Sequence, residues 1–262
     1  MPKLTSALRN GFADFLLLKT ETVRDKVSGL CSLLGLSDEQ VSAKFGGLAF
    51  LFSTDAGKLK PRFQLLQQRT GRPASSLVAR ILVVPALLNY PEETLERNYA
   101  AVVDALGSEA AAKLLLSRRP DVLISAADRV ARNLQTLQQW GCSPEAAVKM
   151  LLGNPRLGGL DLEQPAFKAR ADYWQAAYSL DTAEAAMLQC YDMLHRSLRT
   201  VAPRVAFWRS KRPDQALLCC TTFTPGDAEF CRRQGLALAE FEAFKQAWLA
   251  GQGAQICRHE RG

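Results

Sequence analysis

The chain has 262 residues, of which 48% are hydrophobic, and carries 33 Lys and Arg against 26 Asp and Glu, for a net charge of +7 and a pI near 9.1. No run of apolar residues reaches the length a membrane-spanning helix needs, so none is expected. The positive balance favours an anionic partner such as nucleic acid or an acidic protein surface. Seven cysteines, an odd number with no Cys-x-x-Cys among them, point to a reducing compartment and no structural metal.

In chain order, Met1–Ala13 carries Lys3 and Arg9 with no acid, which fits either an organelle-targeting remnant or a basic helix end. Residues 14–50 read as a first, less regular unit. Val23, Val27, Leu30 and Leu34 form a helical stripe, Gly35 ends it, Ser37-Asp38-Glu39 opens a second helix, and Gly46-Gly47 closes that one. Residues 51–85 form the next unit, with Phe63 and Leu66 on one helix and Leu77, Ile81 and Leu82 on the other.

The clearest unit is 131–157. Val130, Leu134 and Leu137 make an amphipathic stripe, and Gly141 stands where a left-handed C-cap belongs. Ser143, Pro144 and Glu145 open a second helix whose apolar face is Ala147, Val148, Leu151 and Leu152, and Pro155 stops it. Pro155 lies 35 residues after Pro120, which lies 35 after Pro85; one unit later Tyr191 takes the place of the proline. The turns Gly35-Leu36-Ser37, Gly71-Arg72-Pro73, Gly107-Ser108-Glu109, Gly141-Cys142-Ser143 and Ser179-Leu180-Asp181 keep the same period. One helical hairpin per fixed period predicts an all-α fold, an α-solenoid of about six repeats of 35–36 residues.

A further helix is expected from Leu198 through Val201, Val205 and Trp208. Beyond Pro213 the period fades. Leu217–Thr222 followed by Phe230–Arg233 reads as a closing hairpin, and Phe241, Phe244 and Trp248 mark a capping helix. The expected organisation is an N-terminal segment 1–22, a repeat array 23–212, a closing hairpin and cap 213–250, and a polar tail 251–262.

The pattern L-x-x-L-x-x-x-G-x-S-x-E-x-x-x-x-x-L-x-x-x-P-x-L from Leu134 to Leu157 resembles the mitochondrial transcription termination factor (mTERF) family. The segment Ala202-Pro203-Arg204-Val205 is similar to its later repeats, and Leu217–Phe230 to its closing unit. The resemblance covers roughly Val23 to Leu238; Tyr191 and the proline missing after the first unit depart from it. Tetratricopeptide and pentatricopeptide repeats have nearly the same period, but a proline-plus-leucine stop does not organise them. The resemblance implies a mitochondrial location, with the chloroplast as alternative, a superhelical array with a basic groove, and a role in transcription termination, ribosome assembly or RNA maturation.

No catalytic constellation stands out. The two histidines, His195 and His259, share no context with a nucleophile, Gly158-Gly159 reads as a turn, and Glu92, Glu93 and Glu96 sit where they complement a helix dipole. A non-catalytic protein without cofactor, metal or small-molecule substrate is expected. The cations carry more information. Lys26, Arg62, Arg97, Arg132, Lys168 and Arg204 recur every 35 or 36 residues, so stacked repeats would set them in one line. Such a line could follow phosphates, or each cation could bridge to a carboxylate or carbonyl of a neighbouring repeat.

Two windows lack acids: Ala56–Pro91, with Lys58, Lys60, Arg62, Arg69, Arg72 and Arg80, and Met193–Pro213, with Arg196, Arg199, Arg204, Arg209, Lys211 and Arg212. Phe207 and Trp208 interrupt the second; core packing suits Trp208, and an exposed aromatic there could stack a base. The candidate nucleic-acid contacts are therefore Lys26, Lys60, Arg62, Arg97, Arg132, Lys168, Arg196, Arg199, Arg204, Arg209, Lys211 and Arg212, with the strongest effect expected at Arg204. A short array at +7 suits RNA, ribosomal RNA foremost and with ribosomal proteins nearby, better than a bent duplex. A sequence-specific double-stranded DNA terminator and a protein-docking scaffold are the rival expectations.

Overall fold

The computed structural model describes residues 20–37, 39–40, 48, 51, 54 and 56–258. Met1–Ala13, most of the second helix expected in the first unit, and His259 lie outside them. Thirteen α-helices and no strand occur among the described residues. Two compact units divide the chain between Asp128 and Arg129.

The first unit contains α1 (Thr20–Leu34), α2 (Ala56–Thr70), α3 (Ala74–Val83), α4 (Glu92–Leu106) and α5 (Glu109–Arg118). Short 3₁₀ turns, Pro85–Leu88 and Pro120–Ile124, follow α3 and α5. Each α-helix pair reverses at a residue that turns left-handed, Gly71 at φ +63° and Gly107 at φ +64°. A Cβ there would strain the backbone even though it would meet no neighbour. Ser108 then caps α5 by accepting the N–H of Ala111. After α1, Ser37 and Gln40 exchange hydrogen bonds in a capping box.

Proline ends the second helix of both pairs, α2 with α3 and α4 with α5. It cannot donate to the preceding turn, so the chain leaves the α-helix and tightens into a 3₁₀ turn. That turn drives the next two leucine-type side chains inward: Leu87, Leu88, Val122 and Leu123 are all at most 3% exposed. They close a core made by Leu59, Phe63 and Leu66 of α2, Leu77 and Ile81 of α3, and Leu95 and Val102 of α4.

The second unit contains α6 (Arg129–Gln139), α7 (Pro144–Gly153), α8 (Pro165–Tyr178), α9 (Ala183–Cys190), α10 (Leu198–Lys211), α11 (Asp227–Gln234), α12 (Leu238–Ala250) and α13 (Gln252–Arg258). The 3₁₀ turns Pro155–Gly159 and Tyr191–Met193 follow α7 and α9. Val130, Leu134 and Leu137 are buried as their spacing requires. On α7 the buried face is Ala146, Ala147, Met150 and Leu151, so Val148 and Leu152 are only half-buried and the expected face is rotated. Tyr191 keeps the turn without a proline, and its hydroxyl lies against Gly153, where a Cβ would come within 2.8 Å.

Beyond α10 the pattern changes. The expected closing hairpin has no first helix: residues 212–219 are not helical, and a single 3₁₀ turn, Cys220–Phe223, precedes α11. Pro213 blocks continuation of α10, and Cys220 and Phe223 bury themselves without needing a helix between. The stretch 251–262, expected as a polar tail, instead contains α13, because Ile256 packs on the core and Cys257 is 2% exposed. Trp174, Phe207, Phe223, Phe230 and Phe241 form a continuous run of ring contacts with centroids 5.3–6.5 Å apart. Phe207 and Trp208 belong to this core, so neither presents a face for a base.

Candidate nucleic-acid interface

The in-register cations have unequal surroundings. Arg62 of α2 donates to the carbonyls of Leu88 at 3.0 Å and Asn89 at 3.2 Å, at the end of its own repeat's 3₁₀ turn. Arg132 of α6 pairs with Glu163 at 3.1 Å, and Lys168 of α8 with Asp172 one turn along the same helix. Arg204 of α10 is the most enclosed: its side chain is 4% exposed, and it donates to Phe223 O at 2.7 Å and to Asp227 at 2.6 and 2.8 Å. Arg204 therefore does not stand on an open surface as expected, because a guanidinium with five fixed donors fits a buried carbonyl and carboxylate together. Arg97 of α4 is exposed, and Lys26 of α1 is half-buried.

The two acid-free windows meet acids in space. Arg69 forms a two-bond pair with Glu96 at 2.8 and 3.0 Å, and its guanidinium lies 4.7 Å over the Tyr99 ring. Arg80 and Arg119 both hold Asp121. Burial opposes ionisation of Asp121, but its hydrogen bonds from Arg80 and Arg119 outweigh it and keep the carboxyl below its ordinary range. Arg72 donates to Ser117 O and to Ser76. In the second window Arg209 donates to Ala177 O, Lys211 pairs with Glu240, and Arg212 donates to Gln234 O. Lys168 and Arg209 also border a cavity of about 650 Å³ with Tyr173, Leu198 and Ile256.

Lys58, Lys60, Arg97, Arg196 and Arg199 are exposed and form no ion pair among the described residues. Lys58 and Lys60 lie at the start of α2 and Arg97 in the first half of α4 of the first unit. Arg196 and Arg199 flank Ser197, the N-cap of α10, in the second unit. Helix starts already carry partial positive charge, so Lys58, Lys60, Arg196 and Arg199 add to a field that attracts anions.

A second register, next to the predicted one, escaped the sequence reading. Asn98 of α4 donates to Leu123 O at 2.7 Å and Ser125 O at 3.3 Å. Asn133 of α6 donates to Leu157 O at 2.6 Å and Leu160 O at 2.8 Å, and accepts from the N–H of Leu162 at 3.3 Å. Arg170 of α8, one position past that register, donates to Leu194 O at 2.7 Å. With Arg62 and Arg204, these side chains pin each 3₁₀ turn to the first helix of its repeat. The signal was present as Arg97-Asn98 and Arg132-Asn133, 35 residues apart, with the asparagine overshadowed by the charge beside it.

His195, set aside in the sequence for want of a neighbouring nucleophile, has a cationic neighbour instead. Its Nε2 lies 3.1 Å from Arg156 Nη1, in a segment that also holds Arg196. Among the described residues no group of His, Cys, Asp and Glu is placed to hold a metal ion. No family model and no curated protein matches this chain.

Proposed function

We propose that this protein is an mTERF-like helical-repeat protein, of the α-solenoid kind with about six repeats, that binds nucleic acid without catalysing a reaction. RNA is the favoured ligand, ribosomal RNA within a mitochondrion in particular. The repeat reading is supported by the order helix, left-handed turn, helix, 3₁₀ turn, which recurs from α2 to Tyr191–Met193. The observation that carries the binding reading is the sorting of the cations. Several arginines inside the repeats are used on carbonyls and carboxylates, while Lys60, Arg97, Arg196 and Arg199 stay exposed without a carboxylate partner among the described residues. Exposed cations at helix starts attract phosphates, and the contacts carry no need for base identity.

The test is titration of the full chain with single-stranded RNA and with duplex DNA at two salt concentrations, followed by fluorescence anisotropy. Binding to RNA should weaken with salt by about 0.7 in log affinity per log salt for each phosphate contacted. The pair Lys60→Gln/Arg97→Gln and the pair Arg196→Gln/Arg199→Gln should each lower that slope without changing the melting temperature. Preference for duplex DNA would move the assignment to a transcription terminator. A complex that ignores salt would replace it with a protein-docking scaffold.

A further inference from the structure

Positive charge gathers from three elements around His195. Arg156 comes from the 3₁₀ turn Pro155–Gly159, Arg170 from α8, and Arg196 follows His195 in the chain. A guanidinium only donates, so His195 Nε2, 3.1 Å from Arg156 Nη1, is the acceptor and the ring proton sits on Nδ1. Nδ1 is shielded from solvent and has no hydrogen-bond partner among the described residues. Burial first, then Arg196 and Arg156, hold the imidazole below its ordinary range; Arg170 acts in the same direction and Asp192 opposes them. Arg156 and Arg196 are exposed, and His195 is half-buried between them and the core. Arg156 and Arg196 form no ion pair among the described residues, and Asp192 is the one acid among the groups that act on the imidazole.

Resting on the nucleic-acid reading above, we infer that Arg156, His195 and Arg196 form a phosphate-binding site whose occupant is a backbone phosphodiester of RNA. The phosphate accepts from the two guanidinium groups and takes over the role of counter-charge. Once it is there, Arg156 turns its N–H from Nε2 to the phosphate, and a proton from solvent on Nε2 gives the phosphate a third donor. Binding and protonation of His195 therefore support each other, as two ligands with favourable coupling must. Arg199, the second residue of α10 and exposed, lies three residues beyond Arg196 in the chain.

The test uses the full chain carrying His259→Gln, which leaves His195 as the sole histidine. Its imidazole is titrated by NMR, free and with a short oligouridylate, and RNA affinity is measured at low salt at both ends of the histidine range. We expect bound RNA to raise the imidazole pKa by about one unit, so that affinity is several-fold higher at about pH 5.5 than at about pH 8, with about tenfold as the ceiling. Arg156→Gln should weaken binding and abolish the shift. The NMR titration needs no change at the site, so misfolding of a variant does not protect the proposal. RNA bound with equal affinity at both pH values and an unmoved imidazole overturns this site while the nucleic-acid reading stands. An equal shift with inorganic phosphate alone overturns the assignment to a backbone phosphodiester. Failure to bind either RNA or duplex DNA at both pH values overturns the nucleic-acid reading and this site with it.

Discussion

In the repeat that starts at α6, Asn133 is fully buried and holds its 3₁₀ turn through neutral hydrogen bonds to Leu157 O, Leu160 O and the N–H of Leu162. In the region that starts at α10, Arg204 does the same work for Phe223 O, but as a charge, with Asp227 beside it and Lys245 completing the group. The two regions differ in what surrounds the turn. After α7 a proline and the buried Leu157 of the turn reseal the core at once, with Leu162 following. After α10 there is no second helix, and the guanidinium reaches both the carbonyl of the 3₁₀ turn and Asp227 at the start of α11. An amide pin is satisfied by carbonyls alone, whereas a buried guanidinium also demands a carboxylate.

The largest effect should come from breaking the charged pin. Arg204→Gln leaves Asp227 with only Lys245 and Phe223 O without its donor, and we expect a loss of about 3 kcal/mol in chemical denaturation. Asn133→Ala removes no charge, leaving two carbonyls and one N–H to find partners, and should cost about 2 kcal/mol. A cost at Asn133 as large as that at Arg204 would erase the distinction between the two pins.

The comparison also has a pH form. Burial opposes ionisation of Asp227, but hydrogen bonds from Lys245 and Arg204 prevail and lower its pKa, as happens at Asp121 in the first unit. A carboxyl depressed in the folded state contributes its full stability above its unfolded pKa, about 3.9, and loses it as pH falls through the folded value. Stability should thus fall steeply below about pH 4, and Asp227→Asn should flatten that limb while Asn133→Ala leaves its shape unchanged. His195 gives a smaller shoulder of the same sign: its folded pKa is depressed, so stability present above about pH 6.5 declines as pH falls below it, and His195→Gln should remove the shoulder.

Three smaller effects sharpen the contrast between regular and irregular repeats. Ser179 occupies the left-handed turn, at φ +52°, that Gly107 and Gly141 occupy in their repeats. Ser179→Gly relieves that conformation at some entropic cost and should raise stability by about 0.5–1 kcal/mol. Arg97→Gln should change stability by less than about 0.5 kcal/mol, because Arg97 is exposed, and should act on RNA affinity alone. Arg62→Gln, at the same register, should cost about 1 kcal/mol through the carbonyls of Leu88 and Asn89.

Much of the fold was legible. Pro85, Pro120 and Pro155 each begin a 3₁₀ turn after a second helix, and Gly71, Gly107 and Gly141 each turn left-handed. Proline and glycine act through their own backbone geometry, so their effect can be read without knowing what packs nearby. The candidate interface was less legible. The window Ala56–Pro91 holds no acid, yet Arg69 and Arg80 meet Glu96 and Asp121, which lie 27 and 41 residues further on. Acids one repeat away are invisible to a local charge pattern and adjacent in the folded unit.

The sequence by itself determined the helical class, the places where helices stop and the common register of six cations, because propensity, capping and period are local properties. Only the tertiary structure decided which cation at that register is exposed and which is buried. Register fixes a position along a helix, but exposure depends on what lies against that position. Beside Arg204 stand Phe223 and Asp227, brought there by a chain that skips a helix, whereas Arg97 stays in solvent and its neighbour Asn98 turns inward to the carbonyls of its own repeat.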